Sequence, residues 1–277
     1  MLESRVLTPA IGVEIFGLDL SKPLTTATME SLRALWHQHL VLFVKGQSIT
    51  PEQQLAFARC FGIPDVYPFL AGLEGFPEIT QVLKKEDEAV NFGGLWHSDT
   101  TYQATPPMAT MLYAKELPPQ GGDTLFANQY AAFDHLSEGM QETLRRLNSV
   151  SRAGNKAVSA TRTARIADNG TGLDASTMQA VHPVVRRHPE TGRDSLFVNA
   201  AHTTEFVGWT EAESEPLLRY LFDWQVREVF CCRYRWEPGD LAIWDNRCTL
   251  HYPINDYAGS RRLMHRITLK GDAPTAG

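Results

Sequence analysis

From Ile79 onward the chain is a succession of short apolar runs separated by turn residues: 79–83, 109–114, 124–127, 181–188, 195–199, 231–236, 241–244 and 263–269. Many short strands with Gly and Pro between them define a sandwich or barrel, not a parallel doubly wound sheet. Helical spacing is sparse. Met29, Leu32, Leu35, Trp36 and His39 share one helical face within 28–40, and Val41-Leu42-Phe43-Val44 follows as a buried strand. Thr50 before Pro51-Glu52-Gln53-Gln54 caps a second helix that runs to about Phe61-Gly62. Further helices are predicted over 132–147 and 210–226, the latter opened by the Thr210-x-x-Glu213 capping pattern. The expectation is a mainly β fold with flanking helices, built as one domain over 1–277.

Residues 151–180 break the pattern. They are rich in Ala, Ser, Thr, Gly and Asn, include the turn signal Asp168-Asn169-Gly170, and carry no sustained period. A loop of this length inside a compact domain reads as an active-site lid or as a surface insertion.

A net charge of −6 removes the electrostatic footprint needed for non-specific binding to nucleic acid or anionic membrane, so an anionic ligand must find local positive charge. No apolar run is long enough to span a bilayer and the N-terminus has no leader pattern, so a cytoplasmic protein is expected. Cys60, Cys231, Cys232 and Cys248 lack CxxC spacing and are expected to be reduced thiols.

The chemistry gathers around Trp96-His97-Ser98-Asp99 and a distant His251 that follows Trp244-Asp245-Asn246-Arg247. On an extended strand, His97 and Asp99 point to one side and offer an imidazole and a carboxylate to one metal. With His251 the set becomes two imidazoles and one carboxylate. That facial set holds non-haem Fe(II) and leaves positions free for a co-substrate and O₂; the same donors can also hold zinc. The chain has nine histidines, so His-x-Asp alone is weak. It gains weight from Gly121-Gly122-Asp123-Thr124 after His97 and from Arg261-Arg262-Leu263-Met264-His265-Arg266 after His251. Arg262 and Arg266, four apart, lie on one side of a strand with Met264 and suit bidentate carboxylate recognition.

These blocks, with 181–186, 196–199 and Ile243-Trp-Asp-Asn-Arg-Cys-Thr-Leu-His-Tyr252, resemble the TauD/TfdA family of Fe(II)- and 2-oxoglutarate-dependent dioxygenases across nearly the whole chain. The resemblance implies a double-stranded β-helix, a cupin-like jelly-roll barrel with iron at its mouth. It implies His97, Asp99 and His251 as iron ligands. Thr124 and Arg262 fall at positions that hold the distal carboxylate of 2-oxoglutarate, and Arg266 at an arginine that binds either substrate or co-substrate. Succinate and CO₂ are the implied co-products, and the Asp99 carboxylate favours hydroxylation over halogenation. Dimers or tetramers are common among relatives, so a homo-oligomer is expected.

The substrate contacts implied are Tyr67, Phe92, Gly93, Thr100, His202 and Arg266. Three positions depart from taurine-oxidising members: Pro64 stands where a sulfonate-binding histidine would, Gly93 replaces an asparagine, and His202 replaces an aromatic residue. Losing one buried donor costs about 1–3 kcal/mol, roughly ten- to a hundred-fold in affinity. The expected substrate is therefore an organic acid, sulfonate or sulfate ester bulkier than taurine. The alternatives are hydroxylation of a neutral secondary metabolite and a zinc-dependent cupin-like hydrolase or isomerase.

Overall fold

A computed structural model describes residues 2–89, 91, 93–153 and 177–277. Two sheets face each other. The larger runs, in spatial order, Glu3–Val6, Val13–Phe16, Val41–Val44, Leu241–Asp245, Ala109–Glu116, Arg262–Leu269, Phe76–Lys84 and Gly72–Leu73, with Pro64–Asp65 also on Arg262–Leu269. The smaller places Thr124–Asn128 between Cys231–Tyr234 and Thr249–Pro253. From Cys231 to Leu269 the strands alternate between these two sheets, as in a jelly roll, while two further three-stranded sheets place Asn148–Arg152 between Gln179–Pro183 and Thr203–Phe206, and Val185–Arg187 between Asp194–Leu196 and Thr275–Ala276.

The period of two along each strand decides what faces what. Met111, Tyr113, Leu241, Ile243, Ile267 and Leu269 point outward onto the helices Thr26–His39 and Pro51–Arg59, where they meet Trp36 and Phe57. Their neighbours Leu112, Ala114, Ala242, Trp244 and Met264 point inward to Phe126, Cys232 and Tyr234 of the small sheet. Phe43 joins the layers by stacking on Tyr234 at 3.7 Å between centroids. Arg262–Leu269 is a central strand, so Arg262 and Arg266 are buried between the sheets, not solvated at an edge.

Three sequence expectations need correction. The helix predicted over 132–147 is two short helices, Gln129–Asp134 and Glu138–Arg145. Ala132, Phe133, Leu136 and Leu144 reach one core across the break, so the apolar pattern stays continuous where the helix does not. The strand predicted over 181–188 is likewise two, Gln179–Pro183 and Val185–Arg187, in different sheets. Pro183 has no N–H to extend the ladder, and the Val184 N–H turns to Leu147 O at 3.0 Å. Finally, His97 and Asp99 are not on a regular strand. His97 forms a single bridge with His251, and Asp99 enters a turn in which Thr100 has φ 45°. Most of the segment proposed as a lid lies outside the described residues. Its described flanks are tied together, with Arg152 opposite Gln179 in an antiparallel pair.

A buried ionic network supports the end of strand Leu241–Asp245. Arg247 donates to both Asp245 oxygens, Nε to Oδ1 at 2.8 Å and Nη2 to Oδ2 at 2.6 Å, and His188 Nε2 lies 2.9 Å from Oδ2. Burial opposes the charge on Asp245, but Arg247 and then His188 outweigh it and hold the carboxyl far below its usual range. Asp245→Asn removes the anion that holds two of the Arg247 donors and leaves Glu190 Oε1, 2.6 Å from Nη1, as its carboxylate partner, so it should cost about 3 kcal/mol, the low end for breaking a buried pair, or roughly a 10 °C fall in Tm. Because the folded pKa is depressed, this stabilisation is present above the unfolded carboxylate pKa of about 4 and is lost as pH falls through the folded value. Thermal melts of both proteins should show a gap that narrows below about pH 4; a gap already absent at pH 7 contradicts the role.

Candidate metal and co-substrate site

His97 and His251 exchange backbone bonds, His97 N–H to His251 O at 3.0 Å and the reverse at 2.8 Å, which sets their rings 4.1 Å apart. The turn at 98–100 swings Asp99 under them. A threonine in the left-handed region is strained by about 1–3 kcal/mol, which places backbone strain next to a candidate ligand. One ligand atom from each of His97, Asp99 and His251 falls within 4.8 Å of the others.

The protonation states suit a cation. His97 Nδ1 lies 2.7 Å from Leu95 O, so Nδ1 carries a proton and Nε2 is the nitrogen left to offer a lone pair in the neutral ring. Burial, reinforced by the nearby His97, lowers the His251 pKa far below the usual histidine value and keeps the ring neutral. Burial disfavours the Asp99 anion, but Arg266, then His251 and His97, and the Thr110 hydroxyl more than compensate and depress its pKa. Two neutral imidazoles and an ionised carboxylate are what metal binding requires. Gly93 has φ 83°, and a Cβ there would sit 2.9 Å from His97 Cε1, so the position keeps the His97 ring uncrowded.

The same cavity, about 630 Å³ including its open mouth, reaches Thr124, Arg262 and Arg266. Arg262 is buried, its Nε and Nη2 have no partner among the described residues, and burial lowers its pKa. Trp236 Nε1 donates to Thr124 Oγ1 at 3.0 Å; an indole N–H can only donate, so the threonine proton remains free for a ligand. A hydroxyl proton and two guanidinium nitrogens directed into one cavity are donors that suit a carboxylate. Gly122, at φ 73°, leaves room for it: a Cβ would lie 3.3 Å from Arg262 Cδ.

The remaining described candidates lie beside these residues. Arg266 Nη2 is 2.9 Å from Asp99 Oδ1, and its guanidinium lies over the Tyr67 ring at 5.0 Å. The His202 ring is 5.0 Å from Tyr102 and 6.4 Å from His97. The Thr100 hydroxyl turns to Gln103 Oε1 at 3.2 Å. Phe92 lies outside the described residues. Sequence reasoning missed Lys84, which also lines the cavity. It is the cross-strand neighbour of Arg262, buried, with Nζ 4.5 Å over the Tyr257 ring. In a second grouping of possible ligands, His188, Asp245 and Cys248, the first two are committed to the ionic network, and burial pushes the Cys248 thiol well up.

A jelly roll carrying a two-histidine, one-carboxylate site beside a carboxylate receptor defines an iron- and 2-oxoglutarate-dependent dioxygenase, an oxidoreductase acting on a small molecule. The family model described as Taurine catabolism dioxygenase TauD, TfdA family matches residues 3–268, and the chain belongs to that family. It is 33% identical over 278 residues to an alpha-ketoglutarate-dependent sulfate ester dioxygenase of Pseudomonas putida, covering 99% of this chain and 91% of that protein. A solved taurine dioxygenase from Burkholderia xenovorans superposes with TM-score 0.84 at 31% identity, covering 99% of this chain and 91% of that one. The solved structure of AAD-2 in complex with Mn(II) and N-oxalylglycine superposes with TM-score 0.81 at 28% identity, covering 99% of both chains. No helix among the described residues is long and apolar enough to cross a membrane.

Proposed function

We propose that His97, Asp99 and His251 hold Fe(II), that Thr124 and Arg262 hold the distal carboxylate of 2-oxoglutarate, and that Arg266 receives the anionic group of an organic substrate, with a sulfate ester as the leading class. Iron supplies the oxidising chemistry when bound with 2-oxoglutarate and O₂. The chain's own work is to orient and to exclude water. The observation that carries the substrate reading is the charge of the cavity wall, where Lys84, Arg262 and Arg266 face one carboxylate, Asp99. Fe(II) and dianionic 2-oxoglutarate cancel, so two positive charges remain buried, and a monoanionic substrate offsets one while a neutral substrate offsets none. Arg266 pairs with the Asp99 oxygen nearest His97, 3.8 Å from its Nε2. A cation bound there draws on that oxygen's charge and leaves Arg266 in want of a second anion. The sulfate ester dioxygenase among the relatives agrees with this reading.

For an alkyl sulfate, one oxygen atom of O₂ enters the C–H bond beside the ester oxygen and the other enters succinate, as 2-oxoglutarate loses CO₂. The hydroxylated carbon then releases sulfate and leaves an aldehyde. With medium-chain alkyl sulfates the enzyme should form succinate, sulfate and aldehyde in equal amounts, and the parent alcohols should give little. Succinate formed equally with the alcohols, or only with taurine, contradicts the proposal. We further propose that the enzyme acts in the cytoplasm as a homo-oligomer; the native mass by light scattering checks the second point.

A further inference from the structure

The structure assigns positioning roles to Trp244, Asn246 and Thr110: a one-way chain of hydrogen bonds from an indole to Oδ2 of Asp99 fixes how that carboxylate meets a metal. This rests on the ligand assignment proposed above. Trp244 and Thr110 are cross-strand partners on the inner face of the large sheet, and Asn246 follows the strand end. All three are buried. Trp244 Nε1 lies 3.0 Å from Asn246 Oδ1; because the indole can only donate, the amide oxygen must face it. The amide nitrogen then faces Thr110, and Asn246 Nδ2 donates to Oγ1 at 2.9 Å. With that lone pair taken, the hydroxyl proton points onward, and Thr110 Oγ1 donates to Asp99 Oδ2 at 2.5 Å. Ser98 Oγ also donates to Asn246 O at 2.8 Å, so the asparagine grips the ligand turn by its backbone as well.

No step in this chain can reverse without stranding a buried donor. The consequence falls on Asp99. Oδ2 is committed to Thr110, and Oδ1, the oxygen toward His97 and Arg266, is left as the single ligand atom. A carboxylate held this way binds through one oxygen. Released, it can rotate and chelate through both, which takes a coordination position that a co-substrate or O₂ needs. The chain therefore sets the number of open positions, not only the affinity.

The test uses Co(II) titrated anaerobically into the apo protein, reading affinity and the visible d–d spectrum alongside Tm. Thr110→Val keeps the shape and removes the hydroxyl; it should weaken Co(II) binding about 10- to 100-fold and alter the spectrum. Thr110→Ser restores the donor and should bind as wild type. Asn246→Ala should weaken binding, and the double variant Thr110→Val/Asn246→Ala should be no weaker than Thr110→Val alone, because the asparagine acts through the hydroxyl. Wild-type affinity and spectrum in Thr110→Val, with only Tm lowered, would reduce the chain to packing and overturn the inference. Additive losses in the double variant would also overturn it. Failure of the wild type to bind Co(II) at all would strike at the ligand assignment instead.

Discussion

Asp99→Ala is expected to abolish substrate-dependent succinate formation. Loss of a partner outside the ligand set typically costs 10- to 100-fold in metal affinity, and loss of a ligand should cost more. The substitution also strands the Arg266 guanidinium, buried against Oδ1, and the Thr110 hydroxyl that donates to Oδ2. Two effects therefore act together, a missing ligand and an unpaired cation where the metal would sit. Fe(II) binding measured anaerobically should fall more than a hundred-fold, and coupled turnover should drop below about 1% of wild type. Wild-type succinate yield from this variant would reject the ligand assignment.

Arg262→Ala is expected to separate co-substrate binding from metal binding. The distal carboxylate of 2-oxoglutarate would lose the guanidinium proposed to hold it in a buried site, a truncation that costs about 2–5 kcal/mol, or roughly 30- to 4,000-fold in the concentration required. The Fe(II) affinity should change little, because Arg262 lies on the strand beyond Met264 and Arg266 from the ligands. A 2-oxo acid without the distal carboxylate, such as 2-oxobutyrate, provides the control. Its binding should be similar in both proteins, so the preference of the wild type for 2-oxoglutarate should collapse in the variant. An unchanged preference would remove Arg262 from the receptor.

The parts of this site that were legible in the sequence are those whose chemistry is local. His97 and Asp99 share one short segment, and Arg262 and Arg266 share one strand face, so spacing alone groups them. His251 stands out as a third donor after Trp244-Asp245-Asn246-Arg247, and the family resemblance then gave Thr124 its role. The β-rich fold was legible for a similar reason, since short apolar runs and turn residues are local signals. Lys84, Thr110, Trp236 and Asn246 were not, because each acts through a neighbour fixed by strand register. Lys84 is opposite Arg262 and Thr110 is opposite Trp244, pairings that no spacing within either segment encodes. The break between Gln129–Asp134 and Glu138–Arg145 was hidden by a different cause, an apolar pattern that both helices satisfy toward one core. Ser137, a residue type that begins helices, marked the restart.

The departures of the substrate pocket carry the same lesson. Gly93 reads in sequence as a lost polar contact, while the structure gives it a steric duty beside His97. Tyr67 reads as a substrate contact and lies under the guanidinium of Arg266, where the ring face helps hold the arginine that is proposed to bind the substrate.

The most direct test of the central claim, that His97, Asp99 and His251 hold Fe(II) with positions open for chelation by 2-oxoglutarate, is an anaerobic absorption titration of the apo protein with Fe(II) and then 2-oxoglutarate. The account predicts a visible charge-transfer band that needs both components, is lost in Asp99→Ala, and shifts when an alkyl sulfate is added. No band with both components present, together with tightly retained zinc and turnover that continues without O₂, would contradict it.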